Sequence, residues 1–352
     1  MKNPRLAAAL AVSLVLAATV DAQVPVRREG PPPRPFERAE MAAASTEVPM
    51  LSAENVLLEV RIDGKGPYRF ALDTGAGGGG RISRALAGKL GLKVVGQAIA
   101  GDPSGKNRET IDIVEAGSLA VGGATFHGAK LAVRDLPATP GRQEPEFDGV
   151  LGIGLFEDHL LTLDYPARLV RIEKGELPPA AGREVLSYEE RRGIPMVRLE
   201  VGDLEVTADV DSGNIRGELV LPASYLGRVR LEGEPKVVGR GRTGFNEFEI
   251  KQAPLKGAVR IGSQSVERPL VDFVEIFPHA NIGHAFLRRF AVTIDQKNHR
   301  IRFRSRRARS HLAAVRRAEN PRGGRHVLRV LTRMPERHSM ALSSPCLKHI
   351  DL

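Results

Sequence analysis

From Asn55 onward, apolar and polar residues alternate in short runs separated by turns that contain glycine or proline. Val56-Leu57-Leu58-Glu59-Val60-Arg61-Ile62 has the two-residue period of a half-buried strand, Asp63-Gly64-Lys65-Gly66-Pro67 turns, and residues 68–72 run back. The pattern predicts a hairpin aimed at Asp73-Thr74-Gly75-Ala76. Beyond the glycines, residues 83–90 read as a short helix, and strands are expected around 110–114, 118–121 and 129–133. The segment Phe147-Asp148-Gly149-Val150-Leu151-Gly152-Ile153-Gly154-Leu155-Phe156 and a strand over 161–172 close this unit.

The same order recurs. Residues 196–201 form a predicted strand, Gly202-Asp203 turns, and 205–210 lead into Asp211-Ser212-Gly213-Asn214. The second unit closes with Ala280-Asn281-Ile282-Gly283-His284-Ala285-Phe286-Leu287 and a strand from 290 to 303. Aligning Gly152 with Gly283 puts Asp164 on Asp295, each 12 residues past its glycine. Asp73 precedes Gly152 by 79 residues and Asp211 precedes Gly283 by 72. Two tandem units of one design follow, a diverged internal repeat. The expected divisions are a first unit at 51–177, a connector at 178–194 rich in Glu, Arg and Gly, and a second unit at 195–303. Mostly strands with a short helix per unit make the fold class all-β.

Composition changes this picture at the two ends. The 352 residues suffice for two units with their own cores. Cys346 is the single cysteine, which excludes an internal disulfide and a thiolate zinc site. Lys2 and Arg5, an apolar run over 6–20 and the small-residue end Val20-Asp21-Ala22 read as a secretory signal at 1–22, the alternative being an uncleaved anchor. The run is short for a membrane span. Export to the periplasm or the medium is expected, without stable membrane insertion after cleavage. Residues 23–50, with Pro31-Pro32-Pro33 and Pro35 and no sustained apolar period, read as a leader or linker.

The formal charge of +10 is concentrated in residues 304–352, where 12 Lys and Arg face three acids. The body is close to neutral. This tail follows the last expected strand and has no aromatic residue to stack on a base, so a solvated, poorly ordered tail is favoured over a nucleic-acid arm. Val327-Leu328-Arg329-Val330-Leu331 could still form a short element.

An apolar strand ending on Asp-Thr-Gly-Ala, a short helix, and an apolar-apolar-Gly closing segment resemble the aspartic protease superfamily, in its bacterial, retropepsin-like branch. The resemblance spans residues 55–303. It implies two β-barrel lobes related by a pseudo-two-fold axis, each supplying one catalytic carboxylate: Asp73 and Asp211. It also implies that Thr74 and Ser212 bond across to the opposite loop, and that Gly152 and Gly283 lie beneath the loops where a side chain would collide. The chemistry can be argued independently. Two close carboxylates cannot both ionise cheaply, so they share a proton, and one can act as base while the other acts as acid. Gly75 and Gly213 let the backbone approach its partner without a Cβ.

The two motifs are unequal. Ala76 stands where pepsin-like enzymes carry a hydroxyl, while the second motif has Asn214. Fewer hydrogen bonds to Asp73 would leave its charged form less stabilised, so Asp73 is expected to hold the shared proton and activity to extend toward mildly acid or neutral pH. The segment 99–113, with a Gly101-Asp102-Pro103-Ser104-Gly105-Lys106-Asn107 tip, and the stretch 239–245 are flap candidates, or plain solvated hairpins. The segment 99–113 has no Tyr or Trp, so the aromatic residue of pepsin-type flaps is missing from it.

Other motifs fail in context. Gly75 to Gly80 satisfies G-x-G-x-x-G, but no acid follows at the ribose-binding distance and strands do not alternate with helices beyond it. Gly105-Lys106 lacks the upstream glycine and the Ser/Thr of a phosphate loop. G-x-S-x-G and H-E-x-x-H are absent. His279 and His284 are not at a metal-ligand spacing, and His284 reads as a packing residue. Asp148, Asp164 and Asp295 read as turn or surface residues. The expectation is a monomeric aspartic endopeptidase that acts on polypeptides and needs no metal or cofactor. The alternative is a non-catalytic binding protein of the same fold for peptide or envelope polymer.

Overall fold

The computed structural model describes residues 34–101, 108–136, 147–215, 217–242, 247–305 and 349–351. The expected signal at 1–22 and the two hairpin tips, 102–107 and 243–246, lie outside them.

The strand Lys65–Asp73 pairs antiparallel with Leu57–Ile62, and Gly149–Gly152 runs parallel along its other side, setting Asp73 opposite Gly152. Gly80–Ser83, Ala124–Arg134 and Arg108–Val121 continue the sheet, and the last returns to Leu57–Ile62, closing a six-stranded barrel. Alternation explains the filling. Leu58, Val60 and Ile62 are fully buried inside with Phe70, Leu72 and Ile82, while Glu59 and Arg61 face water.

The second unit repeats the ring. Ile194–Val201 pairs with Leu204–Val210, followed by Ala280–Ile282, Leu219–Pro222, Leu270–Val274 and Glu247–Pro254. Here the two long strands of the first ring are each broken at a corner, giving Glu247–Pro254 then Ala258–Ile261, and Gln264–Glu267 then Leu270–Val274. Leu255 N–H to Pro269 C=O (2.9 Å) and Arg268 N–H to Gly257 C=O (2.8 Å) carry the pairing around the bend. Ala258–Ile261 then returns to Ile194–Val201.

A third sheet belongs to both units. Leu160–Asp164 lies antiparallel to Phe290–Asp295, with Thr162 opposite Thr293. These are repeat equivalents, 131 residues apart like Gly152 and Gly283. A local two-fold axis therefore passes through this pair. Leu169–Glu173 and Arg300–Ser305 flank it, and one apolar core runs through both units.

Three expectations are corrected. The stretch 23–50 is not only leader: Arg38–Met41 pairs with Ala124–Arg134 and Ser45–Pro49 with Leu169–Glu173, and Phe36 is buried with its ring 5.5 Å from Phe126. Its strands are edges with one face in water, so their sequence shows little apolar period. The connector contributes Leu186–Ser187 and Glu189–Arg191, with Val185 and Tyr188 buried. Of the tail, Arg304 and Ser305 end the strand Arg300–Ser305, and His349–Asp351 pairs in parallel with Lys236–Arg242; residues 306–348 lie outside those described.

Each unit has its short helix. Arg84–Leu90 is capped by Ser83, whose Oγ accepts from Leu86 N–H at 3.2 Å, and it stops at Gly91 in the left-handed region. In the second unit the helix is His284–Leu287, directly after Gly283, where the first unit has a 3-10 turn, Ile153–Phe156. The flap candidates fall in two hairpins, Lys93–Gly101 with Arg108–Val121 and Lys236–Arg242 with Glu247–Pro254. Both carry a bulge at the second valine of a Val-Val-Gly sequence, Val95 and Val238. No helix among the described residues is long and apolar enough to cross a membrane.

Candidate active site

Asp73 ends its strand and Asp211 directly follows the equivalent one, and the two loops beyond them meet across the two-fold. Thr74 N–H donates to Ser212 Oγ and Ser212 N–H donates to Thr74 Oγ1, both at 2.9 Å. Thr74 Oγ1 in turn donates to Val210 C=O (2.6 Å), and Ser212 Oγ to Leu72 C=O (2.8 Å). Four hydrogen bonds between residues about 138 positions apart thus lock each loop to the strand end of the other, with both hydroxyl residues buried.

The glycines set the spacing. A Cβ on Gly75 would sit 2.5 Å from Asp211 Cγ, and one on Gly213 would sit 2.4 Å from Asp73 Cγ. Each carboxyl therefore rests against the bare backbone of the opposite loop. Underneath, a Cβ on Gly152 would meet Gly78 C=O at 2.5 Å, and one on Gly283 would meet Gly217 C=O at 2.4 Å. Ile153 N–H donates to Ala76 C=O (3.0 Å) and His284 N–H to Asn214 C=O (2.8 Å), so the segment after each closing glycine buttresses its own loop.

The two carboxyls have different surroundings. Asp211 Oδ1 accepts from Gly213 N–H (2.9 Å) and Asn214 N–H (3.0 Å), and its Oδ2 accepts from Asn281 Nδ2 (2.7 Å). Asp73 Oδ1 accepts from Gly75 N–H (2.8 Å), while Oδ2 faces Arg81 Nη2 at 3.4 Å. Burial, then the neighbouring Asp211 charge, push Asp73 up to about 7, and the Arg81 guanidinium pulls the other way. The asymmetry expected from Ala76 and Asn214 is present, by a less direct route. The Asn214 side chain donates to Asn281 Oδ1 (2.9 Å), and Asn281 then donates to Asp211. At the repeat position of Asn281 the first unit has Val150, which brings no donor to Asp73.

Further polar groups lie next to Asp211 and beneath the site. Asp209, two residues before Asp211 on the same strand face, is pushed up to about 6 by burial and then by Asp211. His279 Nε2 lies 3.4 Å from Asp209 Oδ2, and Arg191 Nη1 lies 3.2 Å from His279 Nδ1. A guanidinium can only donate, so Nδ1 is the acceptor and the imidazole proton sits on Nε2, toward Asp209. Burial and Arg191 hold His279 below its usual range. Beneath the site, Tyr165 and Gln296 are repeat equivalents: the Tyr165 ring stands edge-on to His284 at 5.1 Å, and Gln296 Nε2 donates to Ile153 C=O at 2.9 Å.

Sequence reasoning did not single out Asn281, Arg81, Asp209 or His279 as part of the site. Asn281 had a signal: it is a polar residue where the aligned first repeat has valine. Arg81 had none, because its reach to Asp73 depends on how the glycine loop folds back. Asp295, read as a turn or surface residue, is a buried turn cap, accepting from Leu177 N–H (2.9 Å) and Asn298 N–H (3.2 Å). Among the described residues, no three His, Cys, Asp or Glu side chains are grouped to hold a metal ion.

Two barrel-like units across a pseudo-two-fold, each ending a strand on an Asp and clasping the other's loop, define the retropepsin-like class of aspartyl protease folds. Residues 58–155, within the first unit, match the aspartyl protease family model. No curated protein matches the chain.

Proposed function

We propose that the protein is an aspartic endopeptidase that hydrolyses peptide bonds with a water held between Asp73 and Asp211. The observation that supports this most is the reciprocal seating of each carboxyl on the opposite loop's glycine, which brings two acids into one site. Their unequal surroundings support a division of labour. Asp211, with three donors, is the base and takes a proton from the water as its oxygen bonds the carbonyl carbon. Asp73 gives its proton to the carbonyl oxygen. One hydroxyl of the resulting diol returns a proton to Asp73, Asp211 passes its proton to the amide nitrogen, and the C–N bond breaks. The pair is left holding one proton, ready for the next water.

In this reading, residues 51–177 and 195–303 are the two lobes, extended by the strands at 38–49 and 186–191, and the cleft between them takes an extended peptide by backbone pairing. Export directed by residues 1–22 and action as a monomer belong to the same proposal. The test is cleavage of an unfolded protein across pH by the wild-type chain, Asp73→Asn and Asp211→Asn. Turnover abolished by either substitution supports the reading. Turnover that survives both ends it, and peptide binding without turnover in the wild type favours a binding protein.

A further inference from the structure

We propose that Arg81 is a specificity-determining residue that receives a carboxylate of the polypeptide substrate, on the first-unit side of the Asp73–Asp211 pair. The inference rests on the peptidase reading and adds a substrate class to it.

Arg81 lies on Gly80–Ser83, antiparallel to the closing strand and opposite Val150. Its guanidinium reaches the site, with Nη2 at 3.4 Å from Asp73 Oδ2, so a peptide held on the pair passes beside it. The group is poorly satisfied where it stands. Of its five N–H donors, one makes this long contact, and Nε is buried with no hydrogen-bond partner. A guanidinium left so is costly unless an anion completes it.

Asp73 is an inadequate counterion. Burial and the neighbouring Asp211 favour its protonated form, and the peptidase reading needs that proton in place. While the pair is poised to react, the charge on Arg81 faces a neutral acid. The side chain is 37 % exposed, so an incoming group can reach it. Arginine's planar fork suits a carboxylate in two parallel hydrogen bonds.

The fold itself does not require a cation there. Arg81 stands opposite Val150 as Val220 stands opposite Asn281, so Arg81 and Val220 are counterparts under the pseudo-two-fold. Val220 is buried in an apolar patch with Phe248, Ile250 and Val274. Ile113, which the hairpin registers equate with Ile250, is only half-buried in the first unit. The counterpart position in the second unit is thus apolar and buried, whereas in the first unit it is more open and carries a fixed positive charge.

The carboxylate can come from a Glu or Asp side chain or from the peptide's own C-terminus. The experiment uses a cleavable peptide in matched Glu and Gln versions at each of the two positions on either side of the scissile bond, and in free-acid and amide forms. It compares kcat/KM for wild type, Arg81→Met and Arg81→Lys, with peptide binding measured in parallel. Folding is checked by thermal melting. Wild type is expected to favour Glu over Gln about tenfold or more at one position. Arg81→Met should bring that ratio within about twofold, and Arg81→Lys should keep part of it. Discrimination confined to free acid against amide identifies the terminal carboxylate as the source.

A wild-type ratio near one at every position and terminus overturns the proposal, as does a ratio that persists in Arg81→Met. Equal losses on Glu and Gln peptides would also overturn it, because Arg81 would then act on the pair rather than on the substrate. If wild type binds Glu peptides selectively through Arg81 but cleaves none, the peptidase reading fails and the carboxylate site stands. If there is neither turnover nor charge-selective binding, both fall.

Discussion

Thr162 and Thr293 face each other across the two-fold axis with their hydroxyl oxygens 3.0 Å apart, each the repeat counterpart of the other. Both are buried at the centre of the sheet that the two units share. A residue hydrogen-bonded to its own counterpart marks where two copies of one design abut. The loops carrying Asp73 and Asp211 are held against each other by the same symmetry. The sheet and the clasp formed by Thr74 and Ser212 are two separate ties between the units, and they can be probed one at a time.

At the axis, replacing one partner strands the other. Thr293→Val alone should destabilise the protein by about 1–3 kcal/mol, because the Thr162 hydroxyl is left buried without its partner. Thr162→Val with Thr293→Val removes both polar groups and should recover most of that loss. Urea denaturation of the two single variants and the double variant checks the sign of the coupling.

The clasp should affect activity more than stability. Ser212→Ala deletes the acceptor for Thr74 N–H and the donor to Leu72 C=O. A loss of about 1–3 kcal/mol is expected, with turnover lowered at least tenfold because the carboxyls lose their spacing. Ser212→Thr keeps the hydroxyl and should restore much of both. Thermal melts and peptide hydrolysis on the same preparations separate the two effects.

Gly213→Ala places a methyl against the Asp73 carboxyl, at 2.4 Å from its Cγ before any adjustment. The loop or the acid must move. About a 100-fold or greater loss of kcat is expected, since a 1 Å misplacement costs that order of rate. A change limited to KM would count against this placement of the pair.

Asp73 also makes stability depend on pH. Its proton is held in the folded protein up to about 7, while in the unfolded chain an Asp releases its proton near 3.8. Between those values the unfolded state gains by ionising and the folded state does not, so this group's contribution falls as pH rises through that window and levels off above it. Asp73→Asn removes the effect. It should abolish turnover yet melt higher than wild type at pH 8, with the advantage fading toward pH 4. Wild-type activity should decline as pH passes about 7, where the pair loses its shared proton.

Asn281 acts through Asp211. Asn281→Ala removes the 2.7 Å donor, and turnover should fall about 10- to 100-fold. The acid limb of the pair's pH–rate profile should also move to higher pH. Asn214→Ala frees Asn281 from its 2.9 Å tether and should cause a smaller change in the same direction. Altered activity with an unchanged pH profile would make both residues merely structural.

Much of the arrangement is legible along the chain. The alternation of Leu58, Val60 and Ile62 with Glu59 and Arg61 specifies a strand with one wet face, and the apolar run into Asp73 or Asp211 marks a strand ending on a carboxylate. The spacing of Gly152, Asp164, Gly283 and Asp295 reveals the repeat, because two copies of one fold keep the distances between fixed structural points. Edge strands such as Arg38–Met41 were not legible, since half of their surface faces water and their apolar signal is weak.

What only the tertiary structure decided is how the two copies meet and how they differ there. The hydrogen bonds of Thr74 and Ser212, the proximity of each acid to the other loop's glycine, and the reach of Arg81 to Asp73 all join residues through folded loops. Their distances depend on register across the axis and on side-chain rotamers, which local periodicity does not encode. The sequence by itself determined two equivalent acids at the ends of two strands. Packing made them unequal, placing a buried amide against one and a half-exposed guanidinium against the other.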